Sequence, residues 1–142
     1  MYHAIVRSRV RALWRRVGSG DYRPAIAMAA PDIRFDFKGD TGISARFTGR
    51  AEFERWFERL FEVFPGLRLR LTDVIVRGWP WRTTLAIRLS IAAELADGTA
   101  YRNEAVQWVT LRWGRMTSDE VFEDTLALDR AIARQLDGRG RP

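Results

Sequence analysis

Proton chemistry has few places to sit in this chain. There is no cysteine, and the one histidine, His3, stands at the amino terminus, so thiolate zinc sites, cysteine nucleophiles and a Ser-His triad find no support. Carboxylates, amides and arginines remain. Asp40 follows a stretch carrying Phe35 and Phe37, and five aromatic residues recur along the next segment, at Phe53, Trp56, Phe57, Phe61 and Phe64. A carboxylate set against such rings loses hydration, binds its proton more tightly and can work as a base near neutral pH. Asp40 and Glu123 are the candidates for that role. Arg88 can pair with such a carboxylate or hold an anionic substrate group, and Gln107 can donate a hydrogen bond to a developing oxyanion. Each has a structural alternative. Asp40 lies in Gly-Asp-Thr-Gly, where aspartate ordinarily bonds its own turn. Arg88 and Glu123 can be a plain ion pair, Asn103 and Gln107 satisfied cavity amides, and Asp124 before Thr125 a helix cap.

The elements that must position these groups follow from periodicity. Val6, Val10, Leu13, Trp14 and Val17 recur at helical spacing until Gly18 and Gly20, which predicts a helix over about 3–17. Asp21 can cap a short second helix, 22–30, ended by Pro31. Ile33, Phe35 and Phe37 alternate with Arg34 and Asp36 as a strand, and a second short strand follows at about 43–47. The aromatic segment opens at Gly49 as a helix and stops at Pro65-Gly66. Four long strands come next, broken by Gly78-Trp79-Pro80, by the Asp97-Gly98 hairpin signal and by the tight turn Trp113-Gly114-Arg115. A last helix carries Leu128, Ile132 and Leu136. Residues 1–137 thus read as one α+β domain, an antiparallel sheet with helices on one face, and 138–142 as a disordered tail. Alternation alone puts Asn103, Ala105, Gln107 and Val109 on one face of their strand, and Arg88 with Ala86 and Ser90 on one face of theirs.

The run GDYRPAIAMAAPDIRFDFKGD, the GR that opens the aromatic helix, the hairpin LADGTAYRN and the ending LRWGR…FEDT together resemble the SnoaL-like branch of the nuclear transport factor 2 and ketosteroid isomerase superfamily. The likeness spans about residues 5–130. It implies a curved, mixed sheet wrapped into a cone around its helices, with a cavity at the wide end walled by Leu13, Phe35, Phe37, Trp56, Phe57 and Asn103. It implies no cofactor and no metal. Ketosteroid isomerases use an aspartate base, a tyrosine and a protonated aspartic acid; the matching positions here are Phe37, Leu13 and Gln107, so that mechanism does not carry over. Epoxide hydrolases of the superfamily use an Asp-Arg-Asp set, of which Arg88 alone has a counterpart, with Ser90 and Val121 in the carboxylate places. SnoaL-type cyclases use an aspartate on the last strand, which falls at Val121, and a slip of register would bring Glu120 or Glu123 there.

The resemblance therefore implies acid–base chemistry on a small hydrophobic carbonyl compound, in the manner of polyketide cyclases and isomerases. Its alternative is a non-catalytic cone that binds a hydrophobic ligand or pairs subunits. Placing Arg88 in the cavity turns Leu85, Ile87, Leu89 and Ile91 outward with Val106 and Trp108, and such a patch predicts a homodimer. The net charge of +6 comes from 24 basic residues, all but Lys38 being arginine. Arg7, Arg9, Arg11, Arg15 and Arg16 cluster on the first helix, but acidic residues interspersed elsewhere argue against nucleic acid. No apolar run approaches a membrane span, and a cytoplasmic location is expected.

Overall fold

The computed structural model describes residues 1–140. Ten elements follow in order: α1 (Tyr2–Val17), α2 (Arg23–Met28), β1 (Ala29–Phe37), β2 (Ala45–Thr48), α3 (Arg50–Val63), β3 (Arg68–Trp79), β4 (Arg82–Glu94), β5 (Ala100–Arg112), β6 (Arg115–Glu123) and α4 (Thr125–Arg139). The strands form one curved, unclosed sheet in the order β2-β1-β6-β5-β4-β3, antiparallel throughout except where β1 lies parallel to β6. This is the α+β cone expected from the sequence.

Local signals account for most boundaries. Asp124 caps α4, its carboxylate accepting from the Ala127 amide at 3.1 Å. That helix runs to Arg139, two residues into the segment expected to be a tail, and residues 141 and 142 lie outside the described residues. Pro31 does not end α2, which stops at Met28; it sits inside β1, where the β1–β6 register shifts between Ala29 and Arg34. A residue without an amide hydrogen breaks the ladder there, so the shift has its reason. Gly18 fastens α1 to the sheet. Its carbonyl accepts from the Leu69 amide at 3.1 Å, and a Cβ at this position would stand 1.9 Å from the Leu69 carbonyl oxygen.

The faces of β4 correct one expectation. Leu85, Ile87, Leu89 and Ile91 are all buried among the helices, and Arg88 is exposed on the outer face. Across the strand pair, Ile87 stands opposite Gln107 and Leu89 opposite Ala105, so both strands send these residues inward. The plain rule that an apolar stripe faces the core decides the orientation. On β3, an irregularity between Leu71 and Asp73 shifts the alternation by one, so that Leu69 and Leu71 before it and Val74 and Val76 after it all reach the core.

Candidate functional site

Strand β1 aims Ile33, Phe35 and Phe37 inward, and α3 lays Phe53, Trp56 and Phe57 across them. The rings pack by tilted and edge contacts: Phe35 to Trp56 at 4.6 Å between centroids, Phe37 to Trp56 at 5.6 Å, Trp56 to Phe57 at 5.1 Å. Trp56 is fixed at its polar end, the indole N–H donating to the Ile43 carbonyl at 2.8 Å. Between these rings and the sheet lies a cavity of about 50 Å³ whose walls include Phe35, Phe37, Trp56 and Phe57. It is well below the roughly 300 Å³ at which ligand sites begin, because the large side chains interdigitate across the cone and leave room for only a few waters. A second void of about 30 Å³ lies beside it and shares Trp14, Phe57, Gln107 and Asp119 with the first; Leu13 lines this second void and not the larger one.

Two carboxyl groups reach the larger cavity from β6. Asp119 is 3% exposed, and its Oδ2 accepts from Gln107 Nε2 at a long 3.4 Å. Its other oxygen, Oδ1, is buried without a hydrogen-bond partner among the described residues. Loss of hydration, and to a lesser extent the charge of Glu120, pushes the Asp119 carboxyl up to about 7. Its proton is therefore held up to neutrality, some three pH units beyond where an aspartate in water lets go.

Glu123 lies two strand repeats further along, about 13 Å from Asp119 by strand rise. Its Oε1 accepts from the Tyr101 hydroxyl at 2.9 Å and from Asn103 Nδ2 at 3.0 Å. Asn103 Nδ2 also approaches the Tyr101 oxygen at 2.8 Å and donates to the Asp124 carbonyl at 3.0 Å, so one amide ties the cluster together. Burial pushes Glu123 up to about 7 against the pull of the Tyr101 and Asn103 hydrogen bonds. Burial, helped by the neighbouring Glu123 charge, also raises the Tyr101 hydroxyl well above its usual range, so it stays a donor.

The expected site residues thus separate into two groups. Phe35, Phe37, Trp56, Phe57, Gln107 and Glu123 come together at the cavity, and Asn103 stands behind it, holding Glu123. Arg88 and Asp40 do not join them. Arg88 is on the opposite face of the sheet, and Asp40 is exposed in the β1–β2 loop, where Thr41 and Ser44 bond one another. The residue that sequence reasoning missed is Asp119. Alternation from Val121 and Glu123, both on the cavity wall, points to it directly, since it is the next residue of the same face. Among the described residues no group of three or more acidic or histidine side chains is placed to hold a metal, and no helix is long and apolar enough to cross a membrane.

This architecture has many solved counterparts. TerC, co-crystallised with polyporic acid, aligns at 20% identity over 87% of this chain and 95% of its own, with a TM-score of 0.72. A protein of Jannaschia sp. CCS1 assigned as a SnoaL-like polyketide cyclase aligns at 22% identity over 96% of this chain and 92% of its own, TM-score 0.69. A nuclear transport factor 2-like protein of Burkholderia xenovorans LB400 aligns at 20% identity over 87% and 92%, TM-score 0.62. At such identities the likeness concerns the fold. None of the curated proteins matches the sequence. The model of the SnoaL-like domain matches residues 10–118, most of the cone, and the chain belongs to that family.

Proposed function

We propose that the protein is a cofactor-independent enzyme that moves a proton on a small hydrophobic carbonyl compound, as a cyclase or isomerase does. One observation carries this reading: Asp119 is a carboxyl group buried in an apolar wall, with one oxygen unpartnered and its proton affinity tuned near neutrality. The SnoaL-like family and neighbours named as polyketide cyclases support it. In this scheme ionised Asp119 takes a proton from the carbon beside the substrate carbonyl and returns it at another position. Gln107, whose amide has a second N–H beyond the one facing Asp119, donates to the carbonyl oxygen as negative charge develops. Glu123, held by Tyr101 and Asn103, serves at the far end of the cavity as a proton donor when neutral. Because the cavity is small at rest, substrate binding requires the aromatic wall to part.

The test uses acetophenone in D₂O, with exchange of its methyl protons followed by NMR. Wild-type protein should speed exchange, and Asp119→Asn should lower the catalysed rate at least about 100-fold while the fold is kept. Undiminished exchange in Asp119→Asn with loss in Glu123→Gln would move the base to Glu123. No exchange by wild type, together with binding of the ketone, would favour a ligand-binding cone.

A further inference from the structure

Helix α1 and strand β3 leave a surface groove of about 160 Å³ between them, lined by Arg11, Trp14, Arg15, Leu69, Arg70 and Leu71. Trp14 and Leu69 also line the inner cavity. One layer of side chains, an indole and an isobutyl group, therefore separates the groove from the proposed substrate site. The clamp between Gly18 and Leu69 fixes the base of the groove, one helical turn below Trp14. Backbone closure at that end leaves side-chain rotation within this layer, of Trp14 or Leu69, to join the two spaces.

The charges around this layer are unusual. Arg11 and Arg15 are one turn apart on the same face of α1, and Arg70 faces them from β3; all three are exposed. Among the described residues no carboxylate pairs with any of them. The acid nearest to Arg11 and Arg15 in sequence, Asp21, is already held by Arg23 and Arg16, whose hydrogen bonds keep it well below the usual carboxylate range. The acid nearest to Arg70, Asp73, accepts from the Val74 amide at 2.8 Å and forms no ion pair among the described residues. Like charges at i,i+4 repel, and a third brought up from the facing strand adds to the cost unless an anion sits among them. Below the three guanidiniums the surface turns apolar, toward Leu69, Leu71 and the indole.

We propose that this groove is the portal of the cavity, that Arg11, Arg15 and Arg70 hold the anionic head of the ligand, and that its apolar body passes Trp14 into the interior. The ligand class is a compact apolar molecule with a terminal carboxylate or phosphate. The proposal rests on the cavity being the substrate site. It also gives a role to the basic face of α1 that neither the fold nor the proton chemistry requires.

Calorimetric titration of phenylacetate, 2-phenylethyl phosphate and 2-phenylethanol tests it, with wild type and with the Arg11→Gln/Arg15→Gln/Arg70→Gln variant. Expected is at least about tenfold tighter binding of an anion than of the alcohol at low salt, shrinking as salt is added. In the triple variant that preference should vanish while the alcohol binds as before; which anion binds tighter names the head group. An alcohol that binds as well as both anions, or an anion preference that survives the triple substitution, overturns the portal and leaves the cavity standing. Failure of all three to bind wild type overturns both.

Discussion

Replacing Asp119 by asparagine should make the protein more stable above neutral pH. Burial raises this carboxyl from its ordinary 3.8 to about 7. At about 1.4 kcal/mol for every tenfold gain in proton affinity, ionising it inside the fold costs up to about 4 kcal/mol. Between pH 4 and 7 the folded state keeps a proton that the unfolded chain has released, so this group's contribution is complete below pH 4, falls as pH rises, and is lost above about pH 7. Asparagine has the same shape and no charge to desolvate; its carbonyl can still accept from Gln107. Urea unfolding at pH 5 and pH 8 measures the effect. Wild type should lose several kcal/mol between the two, and Asp119→Asn should lose less, with the difference between the two profiles attributable to one group. Glu123, raised in the same direction to about 7, keeps the variant's profile from becoming flat, and adding Glu123→Gln should remove most of what remains. Parallel wild-type and Asp119→Asn profiles would refute the reasoning, because they would mean that Asp119 ionises in the fold as it does in water.

Two further outcomes follow from the faces of the sheet. Leu89→Glu should unfold the protein, since it places a carboxylate where a 4% exposed leucine packs, whereas Arg88→Gln, on the outer face, should change stability by less than about 0.5 kcal/mol and leave acetophenone exchange unaltered; circular dichroism melts and the NMR assay check both. Ile75, Val106, Trp108 and Phe122 are exposed on that outer face, with Val106 opposite Phe122 and Ala86 joining Ile75 to Trp108. A twofold dimer closing this patch is the expected state in sedimentation at micromolar concentration, converted by Trp108→Glu to a folded monomer, and a monomeric wild type would rule it out.

What can be read from the sequence is set by how local each signal is. Alternation on β1 and β5 is a property of neighbouring residues, and it suffices to bring Phe35, Phe37 and Gln107 to the cavity wall. On β4 two signals compete: the apolar stripe of Leu85, Ile87, Leu89 and Ile91 points to the core, and likeness to distant relatives points Arg88 there. The stripe prevails, because burying four aliphatic side chains outweighs a resemblance that reaches only one residue of a three-residue set. The outer-face patch survives this reversal in altered form, carried by Val106, Trp108, Phe122 and Ile75 without the β4 stripe. Asp119 is hidden for the opposite reason. Likeness to the cyclases points at Val121, where they place an aspartate, and a slip of register from there leads to Glu120 or Glu123. Following one face by twos leads instead to the residue two positions back, which keeps the pleat, so β6 presents a carboxyl to the same cavity one strand repeat deeper without any slip. Cavity volume lies beyond sequence reasoning altogether, since it depends on how Trp14 of α1 interleaves with Trp56 and Phe57 of α3 across the sheet. Under the proposed function this interleaving acquires a consequence: packed rings keep Asp119 dry, with its carboxyl raised to about 7, and proton transfer begins only when a ligand displaces part of the aromatic wall.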